Sequence, residues 1–68
     1  MSKEPSVKDM LASAQADIDQ AQAWIDEARS KIKDETFQMN LNAMQFQLDL
    51  RKAQVSLLRA YDDLMNPE

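Results

Sequence analysis

The stretch VKDMLASAQADIDQAQAWIDEARSKI, residues 7–32, carries an apolar residue at every third or fourth position. Leu11, Ile18, Ile25 and Ile32 recur every seven residues, and so do Val7, Ala14, Ala21 and Ala28. A large aliphatic at one core position and a small residue at the other make a heptad seam, the pattern that lays one helix along another. Alanines at the second position let the two helix axes come close.

The ends of this stretch read as helix ends. Ser6 stands three residues before Asp9, a spacing that resembles a capping box, so the Ser6 hydroxyl is expected to accept from the Asp9 amide. Pro5 lies just outside. Arg29, Lys31 and Lys33 gather at the other end, where they complement the helix dipole and stand within reach of Asp26, Glu27 and Glu35. The first helix is therefore expected over residues 6–33, with residues 1–5 disordered.

At Lys33-Asp34-Glu35-Thr36 the apolar rhythm stops, and Asp34 or Thr36 is placed to cap a second helix over residues 36–65, which Asn66-Pro67 ends. This predicts a tight turn at residues 33–36 and an all-α antiparallel two-helix hairpin as the single domain, residues 6–66. The alternative is one long coiled-coil helix. No glycine or internal proline enforces the turn, and the series Leu11, Ile18, Ile25, Ile32 continues through Met39, Phe46, Ala53 and Ala60. Such a helix would run for about sixty residues, roughly 90 Å. Helices of that length are rare at this chain size, which favours the hairpin.

The second helix is apolar on two stripes whose centres stand roughly 160° apart at 100° per residue. One is Met39, Ala43, Phe46, Leu50, Ala53, Leu57, Ala60 and Leu64; the other is Phe37, Leu41, Met44, Leu48, Val55, Leu58 and Met65. Asn40, Gln47, Gln54 and Tyr61 lie between them, and Gln38, Gln45, Asp49, Lys52, Ser56, Arg59 and Asp63 form a polar arc. One narrow stripe on the first helix cannot cover both. The alanine-bearing stripe is expected inside the hairpin, giving a core of Leu11, Ala14, Ile18, Ala21, Ile25, Ala28, Ile32, Phe46, Leu50, Leu57 and Leu64.

The other stripe is then left for a partner. Phe37, Leu41, Met44, Leu48, Arg51, Val55, Leu58, Tyr61, Asp62 and Met65 are the expected interface residues. A homodimer is the simplest way to cover them, two hairpins forming an antiparallel four-helix bundle. In a two-fold pairing of second helices, Arg51 of one chain is spaced to approach Asp62 of the other. Tyr61 is the candidate polar contact at the junction, and Trp24 flanks the first helix's stripe as a candidate anchor.

Composition narrows the function. A chain of 68 residues buries only roughly 60% of its unfolded surface, so a lone core is marginal. Without Cys or His there is no disulfide, no thiolate and no imidazole ligand or base. Association is the stabilising device that remains. Twelve acids against eight bases, net charge −4, show no basic stripe for nucleic acid. No apolar run approaches the ~18 residues of a membrane span, and no signal peptide is expected behind Met-Ser-Lys-Glu-Pro. A cytoplasmic protein follows as the expectation.

No reaction centre is legible. Ser13, Ser30 and Ser56 have no partner base and read as surface helix residues. The acid pairs Asp17/Asp19, Asp26/Glu27, Asp34/Glu35 and Asp62/Asp63 lack the histidine of a di-iron bundle and the glycine of a calcium loop. No enzyme activity, cofactor, metal or small-molecule substrate is expected. The five methionines suit an adaptable binding surface as well as a soft core.

The expected function is a small non-enzymatic interaction module, a regulatory or inhibitory binder of the kind seen among phage-encoded host inhibitors and antitoxin-like regulators. The alternative is a chaperone-like or structural subunit. In length and helix-turn-helix outline, residues 7–65 resemble the small co-chaperones of type III secretion needle proteins. That resemblance implies a helical hairpin that works bound to a partner. Those proteins often carry glycine at the turn, where this chain has Lys33-Asp34-Glu35-Thr36.

Overall fold

A computed structural model describes residues 6–66 as an antiparallel pair of helices, α1 (Val7–Lys31) followed by α2 (Glu35–Met65). The hairpin measures 50 × 24 × 15 Å. Pro5, Pro67 and the expected disorder of residues 1–5 lie outside the described residues.

Both helix starts are capped as their sequences require. The Asp9 amide donates to Ser6 Oγ at 3.1 Å, and the Phe37 amide donates to Asp34 Oδ2 at 3.0 Å. Ser6 and Asp34 are extended (ψ 164° and 133°), as N-cap residues are. Thr36 is not the cap but lies inside α2.

The reversal occupies Ile32, Lys33 and Asp34. It uses no left-handed residue among those described. Ile32 leaves the helix at φ −112°, ψ 109°, its amide donating to Ala28 O at 2.9 Å. The carbonyls stranded at the end of α1 are taken up from across the turn. Gln38 Nε2 donates to Ile32 O at 2.5 Å and to Arg29 O at 3.1 Å, and Lys33 Nζ reaches Arg29 O at 3.4 Å. A side chain of α2 thus does what a C-terminal glycine does in many helices.

The core is a single seam. Leu11, Ile18, Ile25 and Ala28 of α1 pack with Leu41, Leu48 and Val55 of α2, and Ala14, Ala21 and Phe37 flank them. Ile18, Ile25 and Leu41 are the large side chains most completely buried. The α1 half of this core matches the heptad reading except at Val7, which is 52% exposed in the first turn, and at Ile32. Ile32 lies beyond the helix end and is 42% exposed, because the chain has already turned away.

The stripe of α2 that enters the core is the opposite of the one expected. Phe46, Leu50, Leu57 and Leu64, assigned to the hairpin interior, stand exposed, and Leu41, Leu48 and Val55, assigned to a partner, are buried inside. Volume complementarity accounts for the inversion. Alanines on both helices would form thin layers with nothing to fill them. In the observed phase the small Ala14, Ala21 and Ala28 lie beside a helix bearing Phe37 and Met44, and Ala21 lines a shallow groove together with Met44. The same phase brings Gln45 and Lys52 to the Gln22 side chain.

Candidate interaction surface

Heptad geometry gives the hairpin two unlike edges. On one edge, Gln22 and Gln45 exchange hydrogen bonds. Gln22 Nε2 donates to Gln45 Oε1 at 2.7 Å and Gln45 Nε2 donates to Gln22 Oε1 at 2.8 Å. Lys52 Nζ donates to the same Gln22 Oε1 at 2.7 Å. Asp26 and Asp49 accept from the two glutamines at 3.0 and 2.9 Å, and Arg29 Nη1 donates to Asn42 Oδ1 at 2.8 Å nearer the turn. No buried side-chain nitrogen or oxygen among the described residues lacks a partner. This edge is satisfied within the chain and offers little to a ligand.

Sequence reasoning placed Gln38, Gln45 and Lys52 on a solvated arc, yet all three are half-buried. A signal for them was present. Gln15, Gln22 and Arg29 recur every seven residues immediately after Ala14, Ala21 and Ala28, and Gln38, Gln45 and Lys52 recur likewise on α2. Two polar heptads facing one another across an antiparallel pair form a hydrogen-bonded flank.

The other edge is apolar and open. Ala21, Ile25, Met44, Gln47, Leu48 and Arg51 line its groove. On α1, Met10 and Trp24 are each more than half exposed. On α2, Met44, Leu58, Tyr61 and Met65 are exposed, and Phe37 is half-buried. Arg51 interrupts the row. Asp62 does not join it: the carboxylate is buried within its own chain, 3.1 Å from Lys8 Nζ, and accepts from Asn66 Nδ2 at 3.1 Å. The expected approach of Asp62 to Arg51 of a second chain is thereby replaced by an ion pair across the open end of the hairpin.

A second apolar surface is the outer face of α2, the side turned away from α1. At 100° per residue, Phe46 stands about 140° from Leu41 and Leu50 about 200° from Leu48, so this stripe occupies the opposite pole from the core. Met39, Phe46, Leu50, Leu57 and Leu64 are between 55% and 76% exposed there. Ala43, Ala53 and Ala60 fill the intervening positions. The eight residues follow one another at alternating steps of four and three with no polar residue among them. One flank of the stripe is Asn40, Gln47, Gln54 and Tyr61; the other is Asn42, Asp49, Ser56 and Asp63.

Among the described residues there is no cluster of acidic groups able to hold a metal ion and no helix long and apolar enough to cross a membrane. No protein-family model, curated protein or solved structure matches this chain.

Proposed function

We propose that this protein is a non-enzymatic interaction module, a regulatory or inhibitory binder that engages another protein through the outer face of α2 in a cytoplasmic setting. The observation that carries the reading is the uninterrupted four–three apolar repeat on a helix face that the hairpin leaves in water. A hairpin needs one apolar seam on each helix, and α2 has two.

Magnitudes support a binding role. Burying a large apolar side chain is worth roughly 1.5–3 kcal/mol, so five of them, each more than half exposed, hold on the order of 5–10 kcal/mol. Association costs an estimated ~4–15 kcal/mol in lost freedom, so the face is a sufficient anchor only if a partner covers most of its length. A helix laid into it, or a groove that accepts it, meets that condition.

The test is affinity capture from the source cell with the native protein and with Leu50→Glu/Leu57→Glu, which changes two exposed residues. A stoichiometric partner retained by the native chain and lost with the variant is the expected result. Identical capture by both proteins would overturn the reading.

A further inference from the structure

Resting on that reading, we infer that the outer face of α2 pairs with the same face of a second copy, antiparallel, across a two-fold axis between Leu50 and Ala53. Reversal matches the repeat to itself: Leu50 meets Ala53 of the copy, Phe46 meets Leu57, Met39 meets Leu64, and Ala43 meets Ala60. Large residues thus stand against small ones at the centre. A parallel pair would stack Ala43, Ala53 and Ala60 each on itself, leaving three thin layers where the antiparallel pair has two.

The flanks agree. In the antiparallel register Gln47 lies beside Gln54 of the copy, Asn42 beside Asp63, and Asp49 beside Ser56, so no two like charges meet although each chain carries a net charge of −4. Gln22, Gln45 and Lys52 of the polar edge stay outside the contact, whereas Asn42 and Asp49 of that edge form one of its flanks. Because the outer face opposes the hairpin core, the product is a layer of four helices with the two copies of α1 outermost. This differs from the closed four-helix bundle expected from the other stripe.

Area sets the strength. From Met39 to Leu64 the seam is roughly 38 Å long and about 10 Å wide. Two such footprints, with the flanking glutamines added, come to about 1,000 Å², the threshold for a specific interface and below the roughly 1,200–2,000 Å² of stable complexes. The pair is therefore dissociable on dilution, and a target protein taking the same face displaces the copy.

The experiment has two arms. In sedimentation equilibrium, the native protein should pass from 7.8 kDa toward twice that mass as concentration rises from micromolar to millimolar. Leu57→Glu should remain at 7.8 kDa with unchanged helical circular dichroism, and Phe46→Gln serves in its place if that variant loses helix. The chain has no native cysteine, so Ala43→Cys and Ala60→Cys report register under mild oxidation. Mixed together they should cross-link to each other, whereas each alone should not. A native protein at 7.8 kDa throughout overturns the second copy, while the capture experiment above still judges the face. Self-cross-linking of the single variants overturns the antiparallel register.

Discussion

Lys8 and Asp62, 54 residues apart in sequence, close the open end of the hairpin with a 3.1 Å ion pair in which the carboxylate is buried and the ammonium faces water. Asp62 occupies the heptad position that Leu41, Leu48 and Val55 fill further along. An acid in an apolar register is expensive to bury, and it penalises any phase that leaves it without its lysine. Replacing a buried charge by an apolar residue of similar volume is often neutral or stabilising by ~1–4 kcal/mol, whereas removing only the partner is destabilising. Asp62→Leu should therefore hold or raise the thermal midpoint. Lys8→Ala should lower it, by about 1 kcal/mol since the lysine is exposed. Thermal unfolding followed by circular dichroism decides, and a lower midpoint for Asp62→Leu would contradict the assignment.

The inversion of stripes on α2 makes an opposed pair of expectations. Leu41 is wholly buried and Leu57 is 72% exposed. Leu41→Ala should cost about 2–5 kcal/mol, most or all of what a domain of this size holds in reserve, and leave the chain largely unfolded. Leu57→Ala should leave the hairpin's helicity in dilute solution almost untouched. Denaturation of both variants at low micromolar concentration separates the two phases of α2 directly.

How far the fold was legible follows from these residues. The seam of α1 was readable because its heptads are unambiguous and no second apolar stripe competes with it. The cap at Ser6 was readable because capping is local chemistry, whereas at the second helix the sequence offered both Asp34 and Thr36 and the structure uses Asp34. The partner face of α2 was not, because a helix with two apolar stripes satisfies the periodicity argument twice. Choosing between them requires side-chain volumes across the gap, where alanine opposite a larger side chain packs better than alanine opposite alanine. The polar flank was missed for a related reason. Glutamine and lysine at heptad spacing were read as solvated, although antiparallel helices turn such rows toward one another.

That flank carries its own expectation. Gln22 and Gln45 are each donor and acceptor to the other, and Lys52 shares the Gln22 oxygen. A double-mutant cycle with Gln22→Ala and Gln45→Ala should show a coupling of about 0.5–1.5 kcal/mol, the net worth of hydrogen bonds that compete with water. Gln22→Leu/Gln45→Leu should stabilise the hairpin while adding an apolar edge, seen as a higher midpoint together with increased association on a sizing column. Additive single effects in the cycle would mean that the glutamines are merely neighbours.

The turn is the remaining point at which the chain has a choice. The heptad of Leu11, Ile18, Ile25 and Ile32 runs in phase into Met39, Phe46, Ala53 and Ala60, so a straight helix would join the inner seam of α1 to the outer seam of α2. Straightening gains a few backbone hydrogen bonds at residues 32–34 but strips α1 from Leu41, Leu48 and Val55. Within one chain the core wins. Between two chains it need not, since the α1 of a copy can supply the same contacts by domain swapping. What opposes the swap locally is the Asp34 cap, worth ~1 kcal/mol, together with the two Gln38 bonds to Arg29 and Ile32 carbonyls. Asp34→Ala/Gln38→Ala should therefore populate an elongated species at high concentration. Small-angle scattering should then show the radius of gyration rising above 15.8 Å and the longest dimension passing from 50 Å toward the ~90 Å of a continuous helix. A scattering profile indistinguishable from the native one would assign the reversal to core packing alone, with the cap and Gln38 only trimming its ends.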